Sequence, residues 1–214
     1  MSDDETTNPA SRKARVLLRL ITAVAATLLL VGAGVLAHPY YTDLQANRTQ
    51  QTLAAEFSTA EVKEAYVQKE VPEGTPVTRL RIPKLGVDTM VVEGASEESL
   101  RSGAARYSDT SLPGEPGNVG IAGHRTTYGK PFNELDRLEP GDQVLLDTPL
   151  GPYVYEMVEP FDGHANPWVV PPHEIEVIDP TAKPSLTLTT CHPKGSDRQR
   201  LIARLELVET PGNS

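Results

Sequence analysis

The first strong feature of the hydrophobic pattern is an apolar run close to the N-terminus. The 18 residues from Leu20 to Ala37 carry no charge, and the run reaches 22 residues when it is counted from Val16. About 20 apolar residues in a helix cross the hydrocarbon core of a bilayer, which is about 30 Å thick. The pattern therefore predicts one transmembrane helix over residues 16–37.

Basic residues precede this run, at Arg12, Lys13, Arg15 and Arg19. Positive charges mark the cytoplasmic side of a membrane helix, so residues 1–15 are predicted to be a cytoplasmic tail and the chain after residue 37 to be external. A cleavable signal peptide is the alternative, because Val35-Leu36-Ala37 resembles a cleavage site. The length of the run favours an uncleaved signal anchor. The predicted location is thus the cell membrane, with a single pass.

Residues 38–75 are mostly polar, with apolar positions loosely at helical spacing at Leu44, Leu53, Phe57, Val62 and Tyr66. This pattern fits a helical stalk, and a plain linker fits it nearly as well. The cluster VPEGTP at 71–76 marks the predicted boundary. Beyond it we expect an external domain over 76–210 and a short tail over 211–214.

The hydrophobic period changes to two within this external domain. Leu80 and Ile82 alternate with arginines, and a predicted hairpin over 143–158 turns at PLGP. A second pair of strands is predicted over 185–191 and 201–208, whereas only Glu97–Arg101 and Phe132–Leu138 look helical. Many short strands separated by turns predict an all-β sandwich or closed barrel. The 19 Pro, 16 Gly and 5% aromatic residues fit such a fold.

Charge and cysteine content exclude several classes of protein. The formal net charge of −9 argues against a nucleic-acid binder, which would show a basic stripe. The single cysteine, Cys191, excludes a disulfide framework and a zinc site of the CxxC…CxxC type. No metal site is predicted.

A lone external cysteine is either an inert buried residue or a reactive thiol. Alternation along 185–191 places Leu186 and Leu188 on the core face and Cys191 on the opposite, polar face. A reactive thiol needs a basic partner that favours the thiolate. His192 is adjacent but points to the other face of the strand, whereas His124 follows a buried run. His124 is therefore the better candidate, although a structural histidine remains the alternative.

Acyl transfer by a thiol also requires a donor where negative charge develops on the carbonyl oxygen. Arg200 follows Cys191 by nine residues and opens the next predicted strand. A hairpin between the two strands can bring Arg200 near Cys191 on the polar side. The alternative is a solvated arginine, which fits Arg198 and Arg204 better.

These residues, in this order, are similar to the signatures of the sortase family. The similarity lies in GNVGIAGHR at 117–125, LTTC at 188–191 and RLI at 200–202, and it covers roughly 76–209. It implies an eight-stranded β-barrel with short helices, acting as a thiol transpeptidase of the Gram-positive cell wall. By the family's roles, Cys191 is the nucleophile, His124 the acid and base, and Arg200 the stabiliser of the oxyanion.

The segments GHRTTYGKPF at 123–132 and TCHPK at 190–194 most resemble the actinobacterial class E sortases. That class is associated with LAXTG rather than LPXTG sorting signals and with a tyrosine ahead of the histidine, which matches Tyr107. The resemblance implies that Tyr107, Thr189 and Thr190 contact the substrate. For Tyr107, packing of the ring against the barrel is an equal alternative.

The resulting hypothesis is a two-step reaction. Cys191 cleaves the sorting signal of a surface protein between Thr and Gly, and the thioester then passes to an amine of a lipid-linked peptidoglycan precursor. Because the thioester conserves the acyl energy, no cofactor is needed. The alternatives are a membrane-anchored thiol hydrolase (a peptidase or wall amidase) and a non-catalytic wall-binding module. Nucleic acid is not an expected partner, whereas the membrane is, through residues 16–37.

Overall fold

A computed structural model of the chain describes residues 9–159, 163 and 165–212. The structure divides into two compact units, one ending at Tyr41 and the other beginning at Thr42. The predicted tails over 1–15 and 211–214 lie partly outside the described residues, since 1–8 and 213–214 are not among them.

The first unit contains most of a long helix, α1, which spans Pro9–Phe57. Its predicted membrane segment is exposed, with Leu29, Leu30 and Leu36 each 75% accessible. The hydroxyls of Thr22 and Thr27 donate to carbonyls within the same helix, so these polar groups are satisfied without water. By length and composition α1 can cross a membrane, and a signal sequence would have the same appearance.

The second unit begins earlier than the boundary predicted at residue 76. α1 continues to Phe57, and a second helix, α2, spans Ala60–Gln68 after the capping residue Thr59. Side chains from both helices are buried, among them Leu53 and Tyr66. Residues 42–75 therefore pack with the strands that follow, instead of forming a free linker.

The rest of the described chain contains nine strands, three short 3-10 helices and one short α-helix. The 3-10 helices are Pro83–Leu85, Leu135–Arg137 and Glu176–Ile178, and one short α-helix, α3, spans Glu97–Leu100. The strands are β1 (Pro76–Ile82), β2 (Val87–Glu93), β3 (Ala104–Arg106), β4 (Asn118–Gly123), β5 (Gln143–Thr148), β6 (Gly151–Met157), β7 (Trp168–Val170), β8 (Ser185–His192) and β9 (Gln199–Glu209).

Eight of these strands close into a barrel. They pair in the order β6-β5-β1-β2-β3-β4-β8-β9, and a further pairing of β9 with β6 closes the ring. Closure removes the exposed sheet edges that would otherwise pair with other chains. The short strand β7 pairs only with residues 200–202 near the start of β9, whereas β6 pairs with the later part of β9. The predicted eight-stranded barrel is confirmed.

The core of the barrel follows the period-two pattern of the sequence. Leu80, Ile82, Leu186 and Leu188 are fully buried in one apolar cluster. Residues of the alternate set on β1 point outward, so that Arg81 forms an ion pair with Asp147 of β5. The hydrophobic alternation along these strands thus fixes which face meets the core.

One charged pair is buried within the wall of the barrel. Glu93 of β2 lies opposite Arg106 of β3, and the two side chains form two hydrogen bonds of 2.7 and 2.8 Å. They are only 5% and 8% exposed. Arg106 also donates to the carbonyls of Thr110 and Ser111, so it anchors the turn that follows Tyr107.

Candidate active site

The pairing of β8 with its two neighbours determines where the cysteine lies. β8 runs antiparallel to β9, and in that register Cys191 is directly opposite Arg200. Residues opposite each other in an antiparallel pair have Cβ atoms about 4.5–5.5 Å apart. The hairpin predicted from the sequence therefore exists, and it brings the proposed nucleophile and the arginine together.

β4 pairs with the other edge of β8 and places His124 near Cys191. The two strands are parallel, and their last paired residues are Ala122 and Thr189. His124 and Cys191 each follow two residues later, so both lie at the same end of neighbouring strands. They line one cleft of about 260 Å³ together with the turn residues 195–197. Cys191 is partly exposed there, which an incoming substrate requires.

His124 is held through its backbone and by a neighbouring ring. Its N–H donates to the carbonyl of Gly103, and its own carbonyl accepts from the N–H of Phe132, each at 3.2 Å. The ring of Tyr128 lies with its centroid 4.9 Å from that of the imidazole. Burial lowers the pKa of His124, because the charged imidazolium loses hydration. The neutral imidazole, which can accept a proton, is therefore favoured.

The path of the chain past His124 depends on a glycine. Gly123 is the last residue of β4, and a Cβ atom placed there would lie 2.5 Å from the ring of Phe132. Real Cβ atoms do not approach other atoms so closely, so only glycine at this position lets the ring of Phe132 pack against the backbone just before His124. Phe132 is itself fully buried.

The guanidinium of Arg200 lies beside the turn between β8 and β9. Its Nη1 donates to the carbonyl of Asp197 at 2.7 Å and to that of Gln199 at 3.1 Å. Asp197 lines the cleft that contains His124 and Cys191. These bonds hold a permanent positive charge next to the thiol strand.

The three residues predicted to contact substrate make two different kinds of hydrogen bond. The hydroxyls of Tyr107 and Thr189 are 2.9 Å apart and share a hydrogen bond, so the structure brings these two together. Thr190 is buried, and its hydroxyl donates to the carbonyl of Gly123 at 2.7 Å. Thr190 thus joins β8 to β4, and its contact with a substrate stays a prediction.

Comparison with known proteins identifies the fold. The model of the Sortase domain matches residues 80–208, which is more than half of the chain. The chain belongs to the sortase family. Sortases are cysteine transpeptidases, which agrees with a partly exposed Cys191 that shares a cleft with His124 and lies opposite Arg200 in the strand register.

Individual sortases show the same relationship. The chain is 34% identical over 145 residues to sortase SrtE1 of Streptomyces coelicolor, a match that covers 61% of this chain and 40% of that protein. It is 31% identical to sortase D of Bacillus subtilis, over 70% of this chain and 71% of that protein. The crystal structure of S. coelicolor sortase E1 with a tripeptide in the active site superposes with a TM-score of 0.55, at 32% identity, covering 64% of this chain and 90% of that chain.

The helix that precedes the sortase barrel reaches the loop after His124. Asp43 of α1 accepts from the N–H of Gly129 and from Nζ of Lys130, each at 2.9 Å. Gln50 of the same helix donates to the carbonyls of Met90 and Ser102. Sequence reasoning missed these contacts, because polar side chains that bind backbone groups leave no hydrophobic pattern.

Arg125 is the residue near the sortase cleft for which the sequence suggested no role. The sequence marks it only as a second cation after His124, yet its side chain is 3% exposed and is surrounded by polar partners. The signal that could have revealed it is its position between a buried strand and the buried Phe132. Among the residues that the structure describes, no cluster of His, Cys, Asp and Glu side chains could hold a metal ion.

Proposed function

We propose that this sortase cleaves a sorting signal of the LAXTG or LPXTG type between Thr and Gly and joins the threonine carbonyl of the N-terminal part to an amine. The observation that carries the proposal is the register of β8, which places Cys191 opposite Arg200 and at the same strand end as His124. A nucleophile, a proton-transfer group and a cation then face one carbonyl.

In the first half-reaction, the thiol of Cys191 gives its proton to His124, and Sγ attacks the carbonyl carbon of the threonine. The carbonyl oxygen takes the electron pair and becomes an oxyanion, which Arg200 stabilises. When the C–N bond breaks, His124 gives a proton to the departing glycine amine. The products are a thioester on Cys191 and a free C-terminal fragment.

In the second half-reaction, an amine attacks the thioester carbonyl. His124 removes a proton from the amine as the new C–N bond forms, and the thiolate of Cys191 leaves. Because one amide bond is exchanged for another, the acyl energy is retained through the thioester. The proposed acceptor is an amine of a lipid-linked peptidoglycan precursor, and the acyl donor is a surface protein.

The substrate peptide is proposed to run past the paired hydroxyls of Tyr107 and Thr189. The related sortase E1 of S. coelicolor holds a tripeptide in its active site, which supports a peptide-binding cleft here. A tyrosine hydroxyl can both donate and accept, so Tyr107 can bind Thr189 and still accept from a peptide N–H. Thr190 would then support the substrate site from behind, through its bond to Gly123.

The apolar part of α1 is proposed to be the membrane attachment. Residues 16–37 would span the bilayer with the N-terminus in the cytoplasm and the barrel outside, because basic residues precede the span. A membrane-anchored external enzyme would meet both a lipid-linked amine and a surface protein during its export.

The test uses the full chain in detergent micelles with LAXTG and LPXTG peptides, with and without an amine such as triglycine. Mass spectrometry should detect an acyl adduct on the Cys191 peptide, and amine should convert it to a ligated product. Cys191→Ala and His124→Gln should lose turnover, whereas His173→Gln, which changes an exposed histidine, should retain it.

Two outcomes would contradict the proposal. Turnover in Cys191→Ala would remove the thiol mechanism altogether. An adduct that water resolves at the same rate with and without amine would indicate a thiol hydrolase instead of a transpeptidase.

A further inference from the structure

The backbone ladder between β4 and β8 ends just before the active site. The last paired residues are Ala122 and Thr189, and beyond them side chains connect the two segments. The hydroxyl of Thr190 binds the carbonyl of Gly123 at 2.7 Å, and Nη1 of Arg125 donates to the carbonyl of Cys191 at 3.3 Å. His124 lies between these two links.

The side chain of Arg125, which makes the second link, is held by several further hydrogen bonds. Nη2 of Arg125 donates to Asp136 at 2.8 Å, and Nη1 lies 2.9 Å from Nδ1 of His192. A guanidinium can only donate, so Nδ1 of His192 accepts in this bond. The backbone is held as well, because the side-chain amide of Asn133 donates to the carbonyl of Arg125 at 2.7 Å.

Burying the charged side chain of Arg125 costs free energy of folding, so its place between the two catalytic segments suggests a role beyond stability. Removing a guanidinium from water carries a large desolvation penalty, and Arg125 is only 3% exposed. Its acidic partner, Asp136, is 47% exposed and thus compensates the charge incompletely. The remaining acceptors are the carbonyl of Asn133, which accepts from Nε at 3.4 Å, the carbonyl of Cys191 and the side chain of His192.

We infer that Arg125 is a positioning residue that sets the separation between His124 and Cys191. It follows the histidine in sequence and binds the backbone of the cysteine, so any shift of one catalytic segment is transmitted to the other. This inference rests on the proposed function, in which both residues act on one carbonyl. Misplacement of a reacting group by about 1 Å can cost about 100-fold in rate.

The planar fork of an arginine is essential to this role. Arg125 directs its two terminal nitrogens at Asp136 on one side and at Cys191 and His192 on the other. A lysine in its place has one nitrogen and can reach only part of this set. Arg125→Lys should therefore keep the charge but lose the link between the strands.

The test compares Arg125→Lys and Arg125→Gln with Thr187→Val in the full chain. Thr187 provides a matched control, since its buried hydroxyl donates to Asn118 at 2.8 Å and so links the same two strands at their other end. Single-turnover acylation with a sorting peptide gives both a rate constant and an amplitude. The amplitude reports the fraction of folded, competent enzyme.

A positioning role predicts that the acylation rate constant falls about 10- to 100-fold in Arg125→Lys and further in Arg125→Gln, at full amplitude and with little change in KM. The rate of thioester aminolysis should fall by a similar factor, because His124 serves both steps. Thr187→Val should leave both rate constants within about 2-fold of wild type.

Two results would overturn the inference. A lower amplitude with an unchanged rate constant would mean that Arg125 only stabilises the fold, and an equal loss of rate in Thr187→Val would mean that any link between the strands suffices. If Arg125→Gln does not fold, Arg125→Lys and Asp136→Asn provide the same comparison. Failure of the proposed function itself would be recognised separately, as the absence of an adduct in the wild type.

Discussion

Replacing Arg200 by lysine provides a sharp test of the geometry at the cleft. A guanidinium has five N–H donors, and the two on Nη1 are directed at the carbonyls of Asp197 and Gln199. The donors on Nε and Nη2 remain available for the oxygen of the substrate carbonyl that Cys191 attacks, since Cys191 lies opposite Arg200. A lysine keeps the charge, but its single nitrogen cannot satisfy the turn and the oxyanion in the same planar arrangement.

The expected effect is the loss of one preorganised oxyanion donor. Such a loss typically costs about 10²–10³ in kcat, or about 2.7–4 kcal/mol of transition-state stabilisation. Because the contact strengthens only as charge develops, KM for the sorting peptide should change little. The full chain should also keep its melting temperature, since Arg200 is partly exposed and its partners belong to a surface turn.

The assay is steady-state transpeptidation of a fluorogenic sorting peptide in detergent, with Arg198→Lys as the matched control. Arg198 lies in the same turn, is exposed, and donates to the hydroxyl of Ser196. Near-normal turnover in Arg200→Lys would refute the geometric argument and leave only general electrostatics. A comparable loss in Arg198→Lys would show that the charge of the whole turn is responsible.

Three further results are expected. Tyr107→Phe should lower the ratio of kcat/KM for the LAXTG peptide to that for the LPXTG peptide, because the hydroxyl of Tyr107 can accept a hydrogen bond from the backbone N–H that alanine has and proline lacks. An unchanged ratio would show that Tyr107 does not determine this specificity. Glu93→Gln should reduce the free energy of unfolding by about 3–5 kcal/mol, and Tm by about 6–20 °C, because it breaks a buried ion pair. Arg79→Gln breaks an exposed ion pair and should reduce the free energy of unfolding by less than about 1 kcal/mol in the same denaturation experiment. Burial lowers the pKa of His124, so the unfolded chain binds the proton before the folded chain does as pH falls below about 6.5, and the free energy of unfolding should decline there. The decline should be smaller in His124→Gln. Equal slopes of the free energy of unfolding against pH in the two proteins would refute the assignment.

The strands and the central hairpin could be predicted because each has a local signal. Alternation predicts the core faces of β8 and β9, and the short turn after Cys191 allows a hairpin that brings Arg200 near it, as the structure shows. The pairing of β4 with β8 joins Asn118 to Ser185 and had no local signal. This pairing was not predicted, and only the resemblance of the motifs to a known family indicated that His124 acts together with Cys191.

Contacts made by polar side chains could not be predicted in the same way. Residues 42–75 were predicted as a stalk or linker, because their few apolar positions gave no indication of the bonds formed by Asp43 and Gln50. The buried pair of Glu93 and Arg106 likewise reads in the sequence as two ordinary surface charges. Such contacts depend on the folded arrangement of distant segments.

The parallel pairing of β4 and β8 has a consequence for the newly made chain. His124 directly follows the first of these strands, but the second begins only at Ser185 and its partner β9 ends at Glu209. Contacts so distant in sequence form late and slowly during folding. Until β4, β8 and β9 have paired, the thiol has no base beside it. A chain whose barrel is not yet closed would therefore be unable to form a thioester with neighbouring peptides, and activity would begin only when the barrel has closed.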